Sequence, residues 1–183
     1  MANKMPKKEA QYIDKVLKNS KNIDIVCHET SDRDAVNSAI AVYDYLNQQG
    51  INSRIILSQN LNSLGLRRTD QNIIQANDLT PAKSSDTVLC VDFSASDRIP
   101  KNVLEYIKKA NKILCLDHHH GMDLVDHDYT YLTAPVEENE NVESVSSFYM
   151  DTSAKSTTSI IYRFFEALGK EINNDTAYDL FYG

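Results

Sequence analysis

A doubly wound α/β domain is what the sequence predicts, its sheet mainly parallel and covered by helices on both faces. Three observations carry this. The strand candidates at 22–27, 87–91 and 112–116 are nearly continuous runs of Ile, Val, Leu and Cys, the composition of strands buried on both faces. Between them lie stretches whose apolar residues recur at helical spacing, the pattern of βαβ units. Histidine and aspartate gather just beyond the strand ends, and the carboxyl ends of parallel strands are where such sheets bind ligands.

The elements follow in order. Tyr12, Ile13, Val16 and Leu17 stripe a helix over 7–18, and the strand Asn-Ile-Asp-Ile-Val-Cys follows at 22–27. Val36, Ala39, Ile40, Tyr43 and Leu46 make one face of a helix over 35–48, with Gly50 as its stop, and a strand over 52–58 comes next. The stretch 59–85 is polar and weakly patterned. Thr87 to Val91 is a buried strand, Pro100 opens a helix carrying Val103, Leu104 and Ile107, and Lys112 to Leu116 is another strand. A further strand is expected within 144–150. Ile160, Ile161, Phe164, Phe165 and Leu168 then stripe a helix ending at Gly169, and a last helix begins near Asn174.

Composition bounds the function classes. The 183 residues suit one ordinary domain, 1–183, able to bury a core without staples. A hydrophobic share of 42% with 25% charged residues excludes a disordered or fibrous chain. The start at Met1 has no apolar signal region, and no stretch approaches the roughly 18 apolar residues of a membrane span. The expectation is a cytoplasmic chain that engages no membrane. Cys27, Cys90 and Cys115 lie in apolar runs without paired spacing and read as reduced core residues. A net charge of −7 argues against a long nucleic-acid duplex as partner. A small phosphorylated ligand stays open, since bound cations can supply positive charge locally. The acidic run Glu137-Glu138-Asn139-Glu140 lacks an alternating ligand pattern and reads as a solvated loop, and Arg67-Arg68 as surface arginines, although their planar forks suit phosphate.

Chemistry collects at three strand ends. His28-x-x-x-Asp32-x-Asp34 follows the first strand, Asp92 follows Val91, and Asp117-His118-His119-His120 follows Leu116. Taken singly, an Asp after a strand is ordinarily a helix cap, and Asp34 before a helix at 35 would serve as one. The histidine tract, with His127 nearby, taken alone reads equally as surface. Together, on one sheet edge, the carboxylates would repel one another and take up protons unless cations sat between them. Carboxylate and imidazole ligands suit manganese, iron, cobalt, zinc or magnesium, and the surplus of acids suggests two ions about 3.5–4 Å apart. No glycine-rich loop follows the first strand, which argues against a dinucleotide cradle or a Walker-type loop.

The order of these motifs resembles the DHH phosphoesterase superfamily. His28-Glu29-Thr30-Ser31-Asp32-Arg33-Asp34-Ala35 resembles its first motif, Val91-Asp92 its second and Leu116-Asp117-His118-His119 its third, and Ser156-Thr157 resembles a recurrent feature before a late helix. The resemblance runs from about residue 22 to the end and implies a Rossmann-like catalytic core. By it, His28 and Asp32 would hold one metal, Asp34 and His118 the other, and Asp92 would bridge them. Asp117 would orient the site and His119 would contact the substrate phosphate. Arg33, Asn37 and Ser38 would border the substrate, with Arg33 and Asn37 standing where many relatives have Gly. A fourth motif with another metal-binding Asp would follow a segment like Asp179 to Gly183, and a smaller closing domain would follow that. The chain is therefore expected to be the catalytic-core half of a longer protein or a naturally reduced one.

What the resemblance implies is a hydrolase with two divalent ions, manganese first and magnesium or cobalt as alternatives. It would cut a phosphate ester or anhydride of a small nucleotide, short oligonucleotide or cyclic dinucleotide, as the nanoRNase and nucleotide-phosphatase branch does. A manganese-dependent inorganic pyrophosphatase is the alternative, since Ser38-Ala39-Ile40-Ala41 is similar to that branch, although Val91-Asp92-Phe93-Ser94 is less so. A non-catalytic metal- or nucleotide-binding domain is the reading from another class. Assembly stays open, a homodimer included.

Overall fold

The computed structural model describes residues 4–59, 71–79, 85–121, 123–124, 129–131 and 146–183. Arg67, Arg68, His127 and the acidic run at 137–140 lie outside them. In chain order the elements are α1 (Lys7–Lys18), β1 (Asn22–Cys27), α2 (Arg33–Gln48), β2 (Asn52–Leu57), β3 (Ile73–Gln75), β4 (Thr87–Val91), α3 (Lys101–Ile107), β5 (Lys112–Asp117), β6 (Tyr129–Tyr131), β7 (Ser146–Met150), α4 (Thr157–Ala167) and α5 (Asn174–Tyr182). The expected helices and strands are all present within a residue or two. Two short strands were not foreseen: three residues of β3 or β6 are too few to display an alternation.

The described strands form one sheet in the order β3-β2-β1-β4-β5-β7-β6, and every neighbouring pair is parallel. Among the described strands the two at the edges are the two short ones, and very short edge strands offer little template for pairing with another chain. From β1 the chain moves outward through β2 to β3, then returns to lay β4 against the other side of β1. The direction of winding therefore reverses between β1 and β4, and at such a reversal the loops diverge and open a crevice.

Alternate side chains of the strands feed two apolar layers. Ile23, Ile25, Ile55, Leu89, Leu114 and Leu116 pack beneath α1, α2, α4 and α5. Val26, Ile56, Val88, Cys90 and Cys115 face α3 through Val103, Tyr106 and Ile107. Each fully buried side chain of this kind contributes about 1.5–3 kcal/mol. α2 is buried nearly all round, Ala35, Val36, Ala39, Ala41 and Val42 included, because it meets the sheet on one side and α4 and α5 on the other. Its small residues let those neighbours approach. Gly50 and Gly169 take φ of +70° and +64° just beyond α2 and α4, as their role as helix stops requires. The three cysteines are buried and unpaired. Among the described residues no helix is long and apolar enough to cross a membrane.

Candidate functional site

The first strand-end segment arrives differently from the simplest expectation. α2 starts at Arg33, not residue 35, and its N-cap is Asp32, whose Oδ1 accepts the Ala35 N–H at 3.1 Å. Asp34 is thus not the cap of its own helix. Sitting in the first turn of α2, it caps another helix: Oδ2 accepts the Thr157 N–H at 2.7 Å and Oδ1 the Thr158 N–H at 2.8 Å. These are two of the N–H groups that the first turn of α4 cannot bond internally. Ser156, the N-cap of α4, serves a third by accepting the Ser159 N–H at 3.2 Å.

Asp92, one residue past β4, adopts φ +67°. Aspartate tolerates this left-handed region better than most residues, though such conformations cost about 1–3 kcal/mol and concentrate at functional sites. Its N–H donates to the Leu116 carbonyl at 3.0 Å, which holds the turn against β5. The carboxylate, 1% exposed, lies at the reversal of winding and looks both ways. Oδ2 is 3.5 Å from Nε2 of His28. Oδ1 is 3.4 Å from Nε2 of His118 and 3.7 Å from Nδ1 of His119, and accepts the Thr157 hydroxyl at 2.8 Å.

Asp117, at the end of β5 and fully buried, organises the histidine tract. Its Oδ1 accepts the N–H of His118 at 2.8 Å and of His119 at 3.1 Å, and lies 2.8 Å from Nδ1 of His119. Its Oδ2 is buried without a hydrogen-bond partner among the described residues. Beside His119 opens a cleft of about 520 Å³ lined by Phe93, Ser94, Arg98, Asp117 and His120.

The donor atoms fall into two sets sharing Asp92: His28, Asp32 and Asp92, and Asp92, His118 and His119, the atoms of each set lying within 4.8 Å of one another. Asp34 adjoins the second set, its Oδ2 3.6 Å from Nε2 of His118. Burial and the charge of Asp92 push the Asp34 carboxyl above its ordinary range, against the pull of the Thr158 and Thr157 N–H groups. Burial would also raise Asp92, but His28, Thr157 and His119 outweigh it and hold that carboxyl below the usual range. His28 is 2% exposed, and neither ring nitrogen has a hydrogen-bond partner among the described residues. Orphaned buried polar atoms cost about 1–3 kcal/mol each. Imidazole and carboxylate donors converging on the same space suit a divalent cation of the manganese, iron, cobalt, zinc or magnesium kind, which would satisfy them.

Seven of the expected site residues, His28, Asp32, Asp34, Asp92, Asp117, His118 and His119, are brought to this one edge of the sheet. Of the others, Arg33 is exposed, whereas Asn37 and Ser38 are buried along α2, Ser38 with its hydroxyl unpartnered among the described residues. Sequence reasoning missed Thr157 and Thr158 as site residues, although they touch Asp92 and Asp34 directly. Their one signal in the sequence was the pair Ser156-Thr157, which resembles a recurrent family feature but carries no role of its own in the sequence.

No curated protein sequence matches the chain significantly. Among solved structures it is similar to an exopolyphosphatase-related protein from Bacteroides fragilis, with a TM-score of 0.71 at 18% identity over 96% of this chain and 48% of that one. CDC45 from Entamoeba histolytica aligns with a TM-score of 0.52 at 11% identity, covering 96% of this chain and 32% of that one. RecJ from Thermus thermophilus, solved in complex with Mn2+, aligns at 0.50 and 13% identity, covering 95% and 22%. At such identities the likeness establishes the α/β fold, and the chain spans about half the length of the first of these proteins or less. The model of the DHH family's N-terminal domain matches residues 22–183, from the start of β1 through every strand end that carries a donor, and the chain belongs to that family.

Proposed function

We propose that the chain is the metal-binding core of a phosphoesterase that hydrolyses a phosphate ester or anhydride of a small nucleotide, a short oligonucleotide or a cyclic dinucleotide, in the cytoplasm. The observation that carries the reading is Asp92, one carboxylate facing two donor sets across the reversal of winding. Four residues would hold the ions, His28 with Asp32 on one side and Asp34 with His118 on the other, and Asp92 would serve both. When bound, two divalent ions lower the pKa of an attacking water and draw charge from the phosphate oxygens. Manganese is the favoured ion, with magnesium or cobalt as alternatives.

The protein's own part is to place and hold. With Nδ1 of His119 donating to Asp117, its Nε2 remains to meet a phosphate oxygen, and burial of Asp117 keeps water from competing for that bond. The cleft beside His119 has the volume of small-ligand sites, about 300–1,000 Å³. Of the three residues expected beside the substrate on the α2 side, exposed Arg33 would border it, whereas Asn37 and Ser38 are buried along α2 and would support the site from beneath. Net charge of −7 supports a small substrate over a long duplex, whose binding rests on basic surface.

Calorimetric titration of manganese at neutral pH, comparing the native chain with Asp92→Ala, tests this. Tight binding of two ions per chain is expected, and loss of both in the variant. Retention of two tight ions by Asp92→Ala would overturn the shared-carboxylate reading. Hydrolysis with manganese is expected on short oligonucleotides or cyclic dinucleotides; turnover of inorganic pyrophosphate alone would transfer the chain to the pyrophosphatase reading.

A further inference from the structure

A carboxylate shared between two ions works only if each oxygen faces its own side, and rotation about the last side-chain bond of aspartate is soft. Asp92 is fixed at the backbone by its bond to Leu116, and its Oδ1 is tied to the Thr157 hydroxyl at 2.8 Å, buried on both sides. That bond leaves Oδ2 toward His28 and Oδ1 toward His118 and His119. Thr157 is itself held. Its N–H is fastened to Asp34 at 2.7 Å, it stands in the first turn of α4, and its branched β-carbon restricts χ1. Resting on the two-ion reading above, we propose that Thr157 is a positioning residue: its hydroxyl sets the rotation of the Asp92 carboxylate, so that one carboxylate oxygen is presented to each donor set.

The substitutions Thr157→Val and Thr157→Ala remove the hydroxyl but keep the backbone N–H to Asp34, and alanine is well tolerated in a helix, so the apo chains are expected to fold. Thr157→Ser restores the hydroxyl. Manganese affinity and stoichiometry by calorimetry, with low-temperature electron paramagnetic resonance of the loaded chains, give the readout. The native chain and Thr157→Ser are expected to hold two ions with the signal of a magnetically coupled pair. In Thr157→Val and Thr157→Ala the weaker-bound ion should lose about 10- to 100-fold in affinity, and the coupled signal should give way to that of isolated ions. A purely structural role would lower the urea midpoint while leaving stoichiometry and coupling as in the native chain, and that result overturns the proposal. If the native chain itself holds fewer than two ions, it is the two-ion reading that fails.

Discussion

Asp24 carries a charge into the layer between the sheet and α3, 1% exposed. It is answered by Arg54 from the neighbouring strand, whose Nε and Nη2 lie 2.6 and 3.1 Å from its two oxygens, and by the Tyr106 hydroxyl. Nothing local announces that pair, because Asp24 and Arg54 are register partners only once β1 and β2 lie side by side. Removing one member leaves the other charge poorly solvated, which costs about 3–5 kcal/mol in buried pairs. Arg54 is partly exposed, so Arg54→Met is expected near the lower bound, about 3 kcal/mol by urea unfolding. The double variant Arg54→Met/Asp24→Asn should recover part of it. Equal losses in the single and double variants would mean that the ion pair is not what stabilises this spot. The gathering of His28, Asp92, Asp117 and His118 at one edge was legible from sequence for the opposite reason: each ends or directly follows a recognisable strand, and a strand end has a known place on a parallel sheet, with Asp32 and Asp34 carried there by the turn from β1 into α2.

At the scale of elements, ends were readable where periodicity met a stop residue, as in α4, whose apolar stripe Gly169 closes; that Ser156 caps its start is a finding of the structure. α2 reads two residues short from sequence because its apolar stripe begins only at Val36, whereas the cap is Asp32; Asp34, a good cap by type, serves α4 instead, which only the arrival of α4 decides. β7 illustrates an electrostatic consequence of pairing. Tyr149 is buried between β5 and α4, and burial, then the charge of Asp151, pushes its phenol up to about 12. Unfolded, it would ionise near its usual value of about 10. Because the folded value is the higher one, this contribution to stability is complete below pH about 10 and is lost as pH rises toward 12. The urea midpoint of the native chain should therefore fall across that window, and fall less in Tyr149→Phe. Parallel curves for the two proteins would show that Tyr149 contributes nothing to the alkaline loss.

For the molecule as a whole, both apolar layers must stay closed for the cysteines to stay hidden. Burial raises all three thiols, aided by Asp92 near Cys27, by Asp117 near Cys90, and by Cys90 and Asp117 near Cys115. Since the thiolate is the reactive form, a thiol reagent at pH 8 is expected to modify none of the three rapidly in the native chain and all three in urea. A thiol that reacts in the native chain as fast as in urea would locate a breach in a layer.

The sequence by itself determined the order and type of the longer elements, though not of β3 and β6, and the placement of His28, Asp92 and Asp117 at strand ends, because periodicity, caps and strand termination are properties of neighbouring residues. Only the tertiary structure decided that Asp34, 123 residues before Thr157, would cap α4, and that Thr157 would reach Asp92. The same holds for the reversal of winding between β1 and β4. Those contacts join segments distant in the chain, and which distant segments meet is settled by the packing of two whole apolar layers rather than by any one stretch.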